Sequence, residues 1–123
     1  HFIDTSTTAY LSGAGQWTDA SDRALKHDFR PLDTSSVLQK VGRMPITSWG
    51  YKAESPSVRH IGPTAQDFYK AFRLGLDNKH IGTIDEGGVA LASIQGLYRE
   101  NLALKARLAR LEQQFAQMKA GQH

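Results

Sequence analysis

An α+β fold with a long helix behind it is what this sequence predicts. A small globular domain is followed by a C-terminal helix that forms a parallel coiled coil, and a short β segment lies upstream. Three observations carry the prediction. Residues 89–120 repeat apolar side chains at alternating spacings of three and four, the period of a helix seam. Residues 21–88 alternate short strand-like and helix-like patterns between Gly and Pro breaks. Residues 1–20 are rich in Thr, Ser, Ala and Gly, a composition suited to short strands and tight turns.

Residues 1–20 hold too few apolar side chains to bury a core alone, and Gly13 and Gly15 are their natural turn points. The chain opens on His1 rather than Met in a Thr/Ser-rich stretch, so it reads as part of a longer polypeptide. In residues 21–88, Leu25, His27 and Phe29 alternate with Lys26, Asp28 and Arg30, a period of two that predicts a strand ending at Pro31. Thr34, Ser35 or Ser36 can cap a short helix carrying Val37, Leu38 and Val41, stopped by Gly42. Strands are expected over Ile46–Lys52 and Val58–Gly62. A helix then starts at Pro63 or Thr64 and runs through Ala65, Phe68, Ala71 and Phe72, with Gly75 beyond its end. Ile81–Ile84 reads as a last short strand, and Asp85-Glu86-Gly87-Gly88 as a break. A core of this size is thin, and association with other copies would help it.

With Ile94 at heptad position a, the a positions are Ile94, Asn101, Leu108 and Phe115. The d positions are Ala90, Leu97, Leu104, Leu111 and Met118. Asn101 alone is polar, a usual device for fixing register. Glu100 and Arg107 fall at g, Lys105 and Glu112 at e. In a parallel assembly they pair as Glu100–Lys105 and Arg107–Glu112 between chains, both of opposite sign. Residues 89–118 as one helix would be about 45 Å long. The competing reading is an amphipathic helix packed on its own domain. Leu91, Tyr98 and Leu102 form a second apolar stripe, expected to dock the globular part. Leu at both a and d does not choose between two and three strands.

Composition narrows the function. Cysteine is absent, which removes disulfides, thiol catalysis and thiolate metal sites. No run of 18 apolar residues is present, so no membrane span is expected, and no signal-peptide pattern opens the sequence. Fifteen basic residues against 12 acidic give a net charge of +3, mixed along the chain, unlike the dense basic footprint of a nucleic-acid binder. The zipper is preceded by Asp85 and Glu86, the wrong charge for a basic region. No metal or organic cofactor is expected. His1, His27, His60, His80 and His123 show no i,i+4 pairing and no acidic partner at metal-ligand spacing, and the glycines lack phosphate-loop spacings. His60 and His80 both precede Ile-Gly, which suggests two equivalent strand starts. Trp17 and Trp49 read as core or interface side chains.

Ala20-Ser21-Asp22-Arg23-Ala24-Leu25-Lys26 carries the candidate chemistry. A serine hydroxyl is a weak nucleophile until a base takes its proton. A lysine can be that base only when neutral, and with an unperturbed pKa of about 10.4 little of it is so at pH 7. Burial or a nearby positive charge must favour the neutral amine. Arg23 and Arg30 are candidates for that charge, while Asp22 and Asp28 act in the other direction. Five residues along a helix place two side chains about 140° apart, and along a strand on opposite faces. Ser21 and Lys26 therefore need a turn between them, or Lys26 must come from another protomer.

The string SDRALK followed by FRPL resembles the start of the endosialidase-type C-terminal intramolecular chaperone domain, a family of self-cleaving serine–lysine peptidases of phage tail fibres and tailspikes. WGYK at residues 49–52, HIGPTAQ at residues 60–66 and the closing coiled coil follow in the same order, so the resemblance covers about residues 21–118. It implies a homotrimer whose client is its own upstream N-terminal portion, with residues 1–20 as the end of a β-rich fibre segment. It implies cleavage of the Ala20–Ser21 bond with Ser21 as nucleophile and Lys26 as base. The expected setting is a phage or prophage fibre assembled in the bacterial cytoplasm, or else a cell-surface fibre. The alternative function is a non-catalytic trimerisation module capping a fibre.

Overall fold

The computed structural model describes residues 5–122, so the expectations for residues 1–4 and for His123 lie outside the described residues. Its contacts divide the chain into two compact units, residues 1–32 and 33–123.

The first unit is a hairpin followed by a one-turn helix. Strands β1 (Tyr10–Leu11) and β2 (Trp17–Thr18) pair antiparallel, Tyr10 with Thr18 and Leu11 with Trp17. Gly15 makes the connection feasible: it adopts φ +81, which an L side chain resists, and donates its N–H to the Ser12 carbonyl at 2.9 Å. The expected turn around Gly13 and Gly15 is therefore present. A 3₁₀ turn follows at Arg23–Leu25. The strand expected over Leu25–Phe29 does not form. Leu25 belongs to the 3₁₀ turn, and Asp28 adopts a left-handed φ of 56, which breaks the alternation that the period of two implied.

In the second unit, α1 spans Thr34–Arg43 and is capped by Asp33, whose carboxylate accepts the Ser36 N–H at 3.2 Å. The cap is thus one residue earlier than the sequence suggested. Gly42 does not end α1. The stop is at Met44, held in extended conformation ahead of Pro45, as the residue before a proline prefers. Strands β3 (Thr47–Trp49) and β4 (His60–Gly62) pair antiparallel in the register Thr47 to Gly62 and Trp49 to His60. The Trp49 indole N–H donates to the Gly62 carbonyl at 3.2 Å, and its ring meets those of Tyr51 and His60. Helix α2 (Ala65–Phe72) starts at Thr64, whose hydroxyl accepts the Asp67 N–H. It ends on Arg73 in the left-handed region, two residues before Gly75.

Helix α3 runs unbroken from Thr83 to Ala120, about 57 Å at 1.5 Å per residue. This corrects two expectations: Ile81–Ile84 is not a strand, and Asp85–Gly88 is not a break. Two glycines cost a helix about 1 kcal/mol each, which a helix of this length tolerates, and Asp85 and Glu86 suit the positive end of its dipole. His80 accordingly starts no strand. It sits in a turn where Asp77 accepts the N–H groups of Lys79 and His80. The Lys79 amide, then the His80 ring, hold the Asp77 carboxyl below its ordinary range.

The core consists of Val37, Phe68, Val89 and Ala92, with Val41, Met44, Phe72 and Ile81 packed around it. Among the described residues no large side chain is fully buried. Helix α3 comes close to α1 at Gly96. A Cβ built there would lie 2.4 Å from the Thr34 carbonyl oxygen, and Arg99 donates to the Thr34 hydroxyl at 3.3 Å.

Candidate functional site

The chain folds back between Ser21 and Lys26 because Asp22 caps a single helical turn. The Asp22 carboxylate accepts the Ala24 N–H at 2.9 Å, and its carbonyl accepts the Leu25 N–H at 3.0 Å. The Arg23 carbonyl then accepts the Lys26 N–H at 3.1 Å, and Lys26 leaves the turn in extended conformation. This reversal brings the Lys26 Nζ to 2.5 Å from the Ser21 Oγ, within one chain. Of the two arrangements the spacing left open, a turn between the residues is the one seen. The Arg23 guanidinium lies over the Phe29 ring at 5.0 Å and ties the turn to the segment after it.

Base-assisted attack by a serine requires an amine within hydrogen-bonding distance of its hydroxyl, and Lys26 lies at that distance from Ser21. The amine donates to the hydroxyl as drawn; with the lone pair on Nζ and the proton on Oγ, the same line carries proton transfer. Ala20, Ser21 and Lys26 are all solvent-accessible in the single chain, Ala20 less so than the other two. Asp22 caps the turn that brings Ser21 and Lys26 together. Its signal was the Ser-Asp pair ahead of a short element, a capping pattern.

The expected a and d positions of α3 are open to solvent in the single chain. Ile94, Leu97, Leu104, Leu108, Leu111, Phe115 and Met118 are between 50% and 67% exposed, and Asn101 is exposed among them. Leu91, Tyr98 and Leu102 do not dock the globular part; they too are exposed. The face of α3 that packs on α1 consists of Val89, Ala92, Ser93 and Gly96, about a third of a turn from the seam at 100° per residue. Small side chains permit that close approach; Leu91 and Tyr98 would have held the helices apart.

The described histidines make carboxylate contacts. His27 meets Asp28 at 2.7 Å, His60 meets Glu54 at 2.8 Å and His80 meets Asp77 at 3.0 Å. Each is a local pair, and among the described residues no three His, Asp or Glu gather as metal ligands. Trp49 is partly buried beside His60 and Tyr51, whereas Trp17 is exposed. No helix among the described residues is long and apolar enough to cross a membrane.

No curated protein matches the chain. Residues 21–74 match the family model described as chaperone of endosialidase, a family classed among peptidases. The matched segment begins at Ser21, contains the capped turn and Lys26, and continues through α1, the β3–β4 pair and α2. The match supports an endosialidase-type chaperone domain over residues 21–74.

Proposed function

We propose that this domain is an intramolecular chaperone that trimerises through α3, assists folding of an upstream fibre or tailspike segment, and then releases itself by cutting Ala20–Ser21. The observation that carries the reading is the 2.5 Å contact between Lys26 Nζ and Ser21 Oγ, in a segment matching a family classed among peptidases. In the reaction, Lys26 takes the Ser21 hydroxyl proton as Oγ attacks the Ala20 carbonyl carbon. The Ala20–Ser21 C–N bond breaks, the proton passes to the departing Ser21 nitrogen, and an ester to Oγ remains. Water hydrolyses that ester, leaving an Ala20 carboxylate and restoring the Ser21 hydroxyl.

Assembly supplies what one chain lacks. The base must be shielded from water to work near neutral pH, and the pair is exposed in a single protomer. Parallel association is supported by the open a/d seam and by the Glu100–Lys105 and Arg107–Glu112 charge match. Ile84, Leu91 and Tyr98 widen the apolar face beyond a/d, which suits a core of more than two helices. The client is the chain's own N-terminal portion, in a phage, prophage or cell-surface fibre.

The exposure of Ser21 and Lys26 also favours a second reading, a trimerisation module without catalysis. Intact mass spectrometry of the chain with its upstream segment, beside Ser21→Ala and Lys26→Ala, separates the two. Self-cleavage yields a fragment starting at Ser21 that both substitutions abolish. Equal processing of all three, or none in any, removes the catalytic role and leaves the structural one.

A further inference from the structure

Ser21 and Lys26 are separated by a distance in sequence that neither a regular helix nor a strand can close. What closes it is one turn of 3₁₀ helix, and such a turn is a poor structure on its own. A single turn fixes several backbone angles in return for very few hydrogen bonds, the costly nucleus of helix formation. Here two backbone bonds, Leu25 to Asp22 and Lys26 to Arg23, hold it. The third bond comes from a side chain: Asp22 Oδ1 accepts the Ala24 N–H at 2.9 Å. Asp22 sits at the N-cap with φ −61 and ψ 130, so its backbone also sets the direction in which the chain leaves Ser21. All the groups involved are exposed, and the Arg23–Phe29 contact gives the turn no burial that could substitute for the cap.

We propose that Asp22 is the positioning residue of the Ser21–Lys26 pair, holding Lys26 Nζ on Ser21 Oγ by capping the turn between them. The inference rests on the self-cleavage reading above and deepens it. The role belongs to the acceptor oxygen and not to the negative charge. A carboxylate beside the amine would favour its protonated form and so oppose the base. An amide or hydroxyl acceptor at this position should therefore serve as well as the carboxylate.

The test compares self-cleavage of the chain with its upstream segment as wild type, Asp22→Ala, Asp22→Asn and Asp22→Ser. Rates of appearance of the Ser21-terminal fragment are followed by intact mass across a pH series. Loss of the cap in Asp22→Ala should slow cleavage about tenfold, the scale of a missing N-cap acting on the reactive geometry. Asp22→Asn and Asp22→Ser should remain within about twofold of wild type. The midpoint of the pH–rate profile should stay in place or move to lower pH in all of them, since removing the carboxylate eases deprotonation of the amine. Asp22→Asn as slow as Asp22→Ala, or a midpoint displaced to higher pH, would overturn the capping role in favour of the charge. A wild-type rate in Asp22→Ala would overturn it outright. Circular dichroism and assembly mass accompany each variant, and loss of fold in Asp22→Ala makes Asp22 a general folding residue, which also overturns the assignment. A wild type that stays whole defeats the self-cleavage reading first, and this inference with it.

Discussion

Lysine serves a neighbouring serine through a lone pair, and arginine never offers one at accessible pH. Lys26→Arg keeps the charge and much of the reach toward Ser21, yet removes the base. The expected outcome is an intact, assembled chain with no Ser21-terminal fragment by mass spectrometry; cleavage at the wild-type rate would contradict the role of Lys26. The ester step gives a second readout. Hydroxylamine, which attacks esters far faster than amides, should speed fragment release from wild type and do nothing to Ser21→Ala. At this scale part was legible: the spacing of Ser21 and Lys26 required either a turn or a second protomer, and a turn is present. The strand expected over Leu25–Phe29 was not, because alternation describes a strand only where a partner offers hydrogen bonds. Here residues 27–30 lie in no strand, and Asp28 turns left-handed beside His27.

Helices α1 and α2 were legible from their caps and apolar spacing to within a residue or two. The start of α3 was not, because Gly87 and Gly88 resemble a break in a local window, whereas the cost of two glycines is shared over thirty-eight residues. Which face of α3 docks was also misread. Large apolar side chains mark a face to be covered, but small ones mark where a backbone can come close. Ala92, Ser93 and Gly96 provide that approach to Thr34. Two substitutions separate these roles. Gly96→Ala drives a methyl into the Thr34 carbonyl and should lower stability by about 1–3 kcal/mol in denaturant melts. Gly88→Ala meets nothing within 4 Å, lies outside the a/d seam, and should raise stability by about 1 kcal/mol. Equal effects of the two would mean that α1 and α3 do not meet as described.

For the molecule as a whole, the imbalance between covered and uncovered apolar surface is the governing fact. Val37, Phe68, Val89 and Ala92 form the buried core, while α3 presents Leu104, Leu108, Leu111, Phe115 and Met118 beyond the last contact with α1. A helix stays folded in water chiefly by packing its apolar face, and among the described residues this face is left exposed. Three copies in register would cover the seam, pair Glu100 with Lys105, and set three Ser21–Lys26 pairs on equivalent chains. Sedimentation equilibrium of the Ser21→Ala chain, in which self-cleavage cannot alter the mass, tests this most directly. A single species at three times the 13.6 kDa of one chain is predicted, whereas a monomer or a dimer across the working concentration range would contradict it.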